Sequence, residues 1–199
     1  MKPQPIELYI KSVEQLFNPL DHSPLPDRDL DEEAEQYIVG TARELDARRP
    51  LAIILRLPER AAKHRAARDV PDAVHHYFAY RSAQAARELR ELFRIGRQSL
   101  GIGLCVLAVT VAVNRAVTHY LPGSAIGSLI AEGFFIVGWV ANWRPLEIFL
   151  YDWWPIKRRR DLLARLAVAP VELRFEADDL DVTQPQDGVL ASGASHKAG

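Results

Sequence analysis

Along this chain the spacing of apolar positions changes from two, to three-and-four, to unbroken, and each change marks an element. Ile6, Leu8 and Ile10 alternate with Glu7 and Tyr9, the period-two pattern of a half-buried strand. The stretch NPLDHSPLPDRDLD that follows is rich in Pro and Asp. It predicts an irregular connection into a helix that starts near Asp29, with Glu32 at capping-box spacing. Ala34, Tyr37, Ile38, Ala42 and Leu45 then recur at helical spacing, so this helix has one core face. LAIILRLP (51–58) reads as a second, more buried strand stopped by Pro58. A strand, a helix and a strand in that order predict a right-handed crossover with parallel pairing.

From Pro71 to Gln98 the positions Val74, Phe78, Ala85, Leu89, Phe93 and Gly96 trace a helical stripe among Ala and Arg. The helix is expected to run straight into SLGIGLCVLAVTVAV (99–113), which carries no charge. The apolar character lasts to Leu121, roughly 23 residues, enough for one membrane span at about 1.5 Å per residue. Pro122 and Gly123 predict a turn, and AIGSLIAEGFFIVGWVANW (125–143) returns over a similar distance. Small residues suggest where the two helices meet: Gly101, Cys105, Ala108, Ala112 and Ala116 on the first, Gly127, Ala131, Gly138 and Asn142 on the second. Cys105 reads as a small packed residue. Beyond the hairpin, RRRDLLARLAVA predicts a short amphipathic helix and VELRF (171–175) a third strand. The last stretch, 177–199, is acidic, then small and polar, and is expected to be a disordered tail.

The fold class that follows is an α+β membrane protein, a two-helix transmembrane hairpin inserted in a small cytoplasmic three-stranded α/β domain. Its parts are a β-α-β-α segment (1–98), two spans (99–121 and 125–143), an interfacial amphipathic helix (144–156), and a cytoplasmic helix and strand completing the sheet (157–176).

Charge sharpens this picture. Net charge is −1, which argues against a nucleic-acid binder, since such proteins carry a basic excess. The bases cluster beside the spans: Arg87, Arg90, Arg94 and Arg97 before the first, Lys157, Arg158, Arg159 and Arg160 after the second, with none in HYLPGSAIGS between them. The positive-inside rule then places both termini in the cytoplasm of a multi-pass inner-membrane protein. The N-terminus lacks the continuous apolar run of a secretory signal. Of 25 basic residues five are Lys and the rest Arg, a usage common in GC-rich bacterial genomes. One cysteine permits no intrachain disulfide.

All four tryptophans fall between Trp139 and Trp154. With Tyr151 and the run Lys157, Arg158, Arg159 and Arg160, the residues Trp139, Trp143, Trp153 and Trp154 form the aromatic and basic signature of a membrane interface. If Pro145 opens a helix, Leu146, Phe149, Leu150 and Trp153 share one face, and Arg144, Glu147 and Tyr151 another, an interfacial amphipathic helix. Arg115 and Glu132 fall at similar depth in the hairpin and are expected to form an intramembrane ion pair.

Candidate chemistry is sparse. Phosphate-loop, nucleophile-elbow and zinc spacings are absent from the sequence, His75 and His76 diverge by about 100° on a helix, and the Asp27, Asp29, Asp31 series lacks the glycine and glutamate of a calcium loop. No metal or cofactor is implied. The expected role is a membrane-anchored accessory or scaffold protein that presents its cytoplasmic domain to a partner, with the bilayer and a protein partner or second copy as its contacts. One alternative is a membrane-surface enzyme acting on a lipid or polyprenyl substrate through Glu147 and Asp152, assisted by Arg144. Another is a small channel or transporter subunit built from oligomerised hairpins.

Overall fold

The structure, a computed structural model, describes residues 2–25, 27–59, 68–120 and 125–176. The expected turn at Pro122 and Gly123 and the expected tail from residue 177 lie outside the described residues. Three parallel strands, β1 (Gln4–Tyr9), β2 (Leu51–Pro58) and β3 (Val171–Glu176), form one sheet in the order β1-β2-β3. Ile6 is opposite Ile53, and Ile53 opposite Val171. A helix α1 (Glu32–Glu44) joins β1 to β2. Between β2 and β3 come α2 (Val70–Tyr120), α3 (Ala125–Ala141), α4 (Trp143–Glu147), one π-helical turn (Ile148–Asp152) and α5 (Trp153–Leu166). Both connections step the same way across the sheet, and crossovers of one hand place their helices on one face.

That face is the core. Ile6, Leu51, Ile53, Leu55 and Leu57 meet Ala34, Ile38 and Ala42 of α1, Val74 and Phe78 of α2, and Leu163 and Leu166 of α5. Burying a side chain of this kind contributes about 1.5–3 kcal/mol. The hairpin is therefore an insertion: β3 pairs with β2 although more than a hundred residues separate them. The other face of the sheet carries a charge ladder. Arg56 pairs with Glu7 at 2.7 Å and with Glu176 on the far strand, and its guanidinium lies 5.1 Å from the Tyr9 ring. Register puts these residues side by side, Tyr9 opposite Arg56 and Arg56 opposite Arg174. Hydrogen bonds to Glu176, then to Glu7, hold the Arg56 guanidinium above its ordinary pKa.

Local chemistry moves the start of α1. Its N-cap is Asp31, not Asp29: the Asp31 carboxylate accepts from the Glu33 N–H at 3.0 Å. Asp29 is held earlier, because the chain there makes an antiparallel bridge between Phe17 and Leu30, and the Asn18 N–H donates to Asp29 O at 2.9 Å. Tyr37, expected in the core, is half exposed, and Val39 is buried in its place.

The stripe expected on the long helix is present, since Val74, Phe78, Ala85, Leu89 and Gly96 are buried. α2 is continuous over 51 residues, about 77 Å at 1.5 Å per residue. Its first half packs on the core and α5, and its second half packs on α3.

Candidate functional site

The tryptophan-rich segment is built on a break in the second apolar helix. Pro145 has no N–H to give Ala141, and α3 ends at Ala141. Asn142 fills the gap: its Nδ2 donates to Gly138 O at 2.8 Å and across to Gly103 O at 3.2 Å. The chain resumes as α4, widens into the π turn, and continues as α5. Pi turns place one extra residue in a helix and recur at functional positions. Here the turn lets Trp153 Nε1 donate to Phe149 O at 2.9 Å and brings Asp152 within 3.2 Å of Arg144.

Arg144, Glu147 and Asp152 therefore come together. Arg144 Nη1 lies 3.1 Å from Glu147 Oε2 and 3.2 Å from Asp152 Oδ2, and Trp143 Nε1 donates to Glu147 Oε1 at 3.2 Å. The cluster is open to solvent, the Arg144 side chain being 61% exposed. One guanidinium contacts both carboxylates in this geometry. The cavities at β1, at His76, at Arg43 and at Arg97 are lined by other residues.

The helix expected to lie separately at 144–156 is instead one arm of the α4–π–α5 run. Ile148 is fully buried against Gly96, where a Cβ would stand 2.9 Å from Ile148 Cγ2. Phe93 stacks on Phe149 and touches Trp153. Close packing at Gly96 draws Pro145 and Ile148 inward, and of the expected apolar face Phe149 and Trp153 are the residues that touch Phe93. Leu146 and Leu150 stay exposed, as do Trp139, Trp143, Tyr151 and Trp154. Trp139 stacks on Trp143 at 5.5 Å. Lys157 Nζ lies 5.4 Å from the Trp153 ring and the Arg158 guanidinium 5.4 Å from the Trp154 ring, contacts worth about 0.5–1 kcal/mol at exposed sites. Arg159 is exposed, and Arg160 backs onto α2, its carbonyl accepting from Ser82 Oγ at 3.4 Å.

The α2–α3 contact uses a different face of α2 from the one expected. Gly103 and Thr110 are buried there, with Val106, Leu107, Val113, Asn114 and Val117 half-buried beside them. On α3, Gly127 and Gly138 face inward as expected, and a Cβ on Gly138 would come within 2.6 Å of Thr110 Oγ1. The Ala131 side chain lies outside the described residues. Gly101, Cys105, Ala108, Ala112 and Ala116 are all exposed. Gly101 is two residues from Gly103, about 200° round the helix, so this ridge points away from α3.

The same register separates Arg115 and Glu132. Arg115 is five residues past Thr110, about 140° from the contact, and Glu132 six before Gly138, about 120° from it. Both are exposed, and no ion pair joins them among the described residues.

A half-buried cluster that periodicity could not reveal joins α1 to α2. Arg81 holds the Glu35 carboxylate with two nitrogens at 2.7 and 3.1 Å, and Tyr77 Oη donates to it at 2.7 Å. Burial, then the Glu35 carboxylate, pushes the Tyr77 phenol well above its usual pKa. Burial would lower Arg81, but hydrogen bonding to Glu35 holds it above its ordinary value. The only advance signal was that Glu35, on the acidic face of α1, lies next to the core residue Ala34. His75 and His76 make tertiary contacts: His75 Nε2 lies 2.7 Å from Ala169 O, and His76 3.4 Å from Asp27. Among the described residues no cluster of His, Cys, Asp and Glu is arranged to hold a metal ion.

The architecture is thus mixed helix with a small three-stranded parallel sheet, from which rise two helices long and apolar enough to cross a membrane. No protein-family model, curated protein or solved structure matches the chain.

Proposed function

We propose that this protein is a membrane-anchored accessory or scaffold subunit whose sheet domain stands on the cytoplasmic side of the inner membrane and is presented there to a partner. The observation that carries the reading is burial. In the most apolar window of each long helix only 11% and 12% of the residues are buried within the protein. The core helix of a water-soluble domain would hide most of such a surface. Ile102, Val109, Ile126, Leu129 and Phe135 are all more than half exposed, and a bilayer is the solvent that accepts them. Arginines and Lys157 at one end of the hairpin, with none in the connecting sequence, orient it. Trp143 and Trp154 then lie at headgroup level, and the Arg144, Glu147 and Asp152 cluster stiffens the exit from the membrane.

Topology tests this. In a Cys105→Ser background, His119→Cys should react with a membrane-impermeant maleimide from outside intact cells, and Glu172→Cys only after lysis. Recovery of the protein in the soluble fraction would sink the reading.

The exposed ridge favours a second contact, a homo-oligomer in which α2 packs on α2 of another copy. Gly101, Cys105, Ala108, Ala112 and Ala116 form a surface that two helices can approach closely. Mild oxidation in membranes should link Cys105 to Cys105 and double the 22.4 kDa mass. Ala108→Leu should abolish the link, and a link that survives Ala108→Leu would count against this interface.

A further inference from the structure

A groove of about 870 Å³ runs past Leu8, Tyr9 and Ile10 at the C-terminal end of β1. Among the described residues β1 is an edge strand whose one neighbour is β2. The Gln4 N–H donates to Pro50 O at 2.8 Å and the Ile10 N–H to Arg56 O at 3.0 Å. Even-numbered residues thus turn their backbone toward β2, and by the alternation of a parallel ladder Pro5, Glu7 and Tyr9 turn theirs outward. Free edges are commonly blunted by proline or charge. Pro5 has no N–H and guards the first half of the strand, which leaves Glu7 and Tyr9 as outward donors at the end where the groove lies.

The walls define what fits. Tyr9 and Tyr37 line the groove and are 65% and 50% exposed. Asp31, Glu32 and Glu33 also line it, and among the described residues no Lys or Arg does. Asp31 is engaged as the cap of α1, and the helix dipole supplies about half a positive charge. Three carboxylates, Asp31, Glu32 and Glu33, exceed that, so the groove is electronegative. Backbone donors, exposed aromatic rings and surplus negative charge together suit an extended, basic chain.

We propose that this groove takes a short extended segment, rich in Lys or Arg, of a partner protein, which adds to the free edge of β1 as a fourth strand. Strand addition draws affinity from main-chain hydrogen bonds and selectivity from alternate side chains. The proposal rests on the accessory-subunit reading and names its docking surface.

The test uses the full chain in mild detergent and a fluorescein-labelled eight-residue peptide alternating Lys and Val, with binding followed by anisotropy. Saturable binding is expected. It should weaken at least tenfold when alternate peptide nitrogens are methylated, when Glu32→Lys and Glu33→Lys are combined, and in Tyr9→Pro, which removes an outward N–H without breaking the ladder to β2. The methylated peptide leaves the protein untouched, so a misfolded variant cannot mimic the result. A peptide with Glu in place of Lys should not bind. No saturable binding, equal binding of the methylated peptide, or equal binding of the Glu peptide overturns the proposal. Co-purification from native membranes separates the two readings. A stoichiometric partner retained by Tyr9→Pro overturns the groove and leaves the accessory role standing; peptide binding with no partner on the wild-type chain does the reverse.

Discussion

Gly103→Ala puts the helix hairpin to a quantitative test. A Cβ at Gly103 would stand 2.7 Å from Asn142 Oδ1 and 3.1 Å from Ala141 O, against 3.4 Å for ordinary contact. The shortfall is 0.7 Å at the side chain (3.4 − 2.7) and 0.3 Å at the backbone (3.4 − 3.1). Asn142 cannot retreat freely, because its Nδ2 holds Gly138 O and Gly103 O at the break before Pro145. Overpacking of this kind costs about 1–3 kcal/mol, and each hydrogen bond lost about 0.5–1.5 kcal/mol. Alanine's helix propensity returns about 1 kcal/mol. The net expectation is a loss of about 2 kcal/mol. Gly133→Ala on α3 is the control, since a Cβ there meets nothing within 4 Å, and it should be neutral or stabilising by up to about 1 kcal/mol. The two variants should therefore separate by about 2–3 kcal/mol in SDS titrations of the detergent-solubilised protein followed by far-UV circular dichroism. In an Asn142→Ala background the penalty of Gly103→Ala should shrink, since the closest clash is gone. Gly103→Ala as stable as Gly133→Ala would refute the packing register.

Other outcomes follow from the elements around the sheet. Tyr77→Phe keeps the ring in the core but removes a hydrogen bond to the Glu35 carboxylate, and should lower stability by about 1.5–3 kcal/mol in urea unfolding of the sheet; an unchanged midpoint would count against the cluster. Asp21 accepts from the Asp29 N–H and from Ser23, which lowers its pKa from 3.8 to about 2. A depressed carboxyl stabilises the fold fully above its unfolded value and loses that contribution as pH falls through its folded value. The loop from Asn18 to Asp29 should thus hold at pH 5 and loosen between about pH 4 and pH 2; a carboxyl titration by NMR with a midpoint near 3.8 would refute it. Replacing Gly96 by Leu should separate the α4–α5 arm from α2, because even a Cβ there lies 2.9 Å from Ile148; the readout is a change in tryptophan emission together with new protease cleavage near Trp153.

Much of the candidate site was legible before folding, because its residues are neighbours in the chain. Arg144, Glu147 and Asp152 are close enough that helical geometry alone brought the first two together. The third joined them through the π turn, which leaves no mark in the spacing. The Glu35, Tyr77 and Arg81 cluster was not legible, since 42 positions separate Glu35 from Tyr77 and only the docking of α1 on α2 sets their distance.

The sequence by itself determined the elements: period two produced β1 and β3, an unbroken apolar run produced β2, and helical period with no interior proline carried α2 from the sheet through the apolar stretch. Local sterics and side-chain alternation suffice for those. Tertiary structure decided which faces meet. α2 offers two small, apolar faces about 200° apart, Gly101 with Cys105 and Gly103 with Thr110, and hydropathy weighs them alike. Asn142 reaching Gly103 and Thr110 nesting against Gly138 chose the second. That choice turned Arg115 and Glu132 away from each other, exposed Cys105, and left the other ridge without a partner among the described residues, because one register along a helix pair settles every contact on it at once.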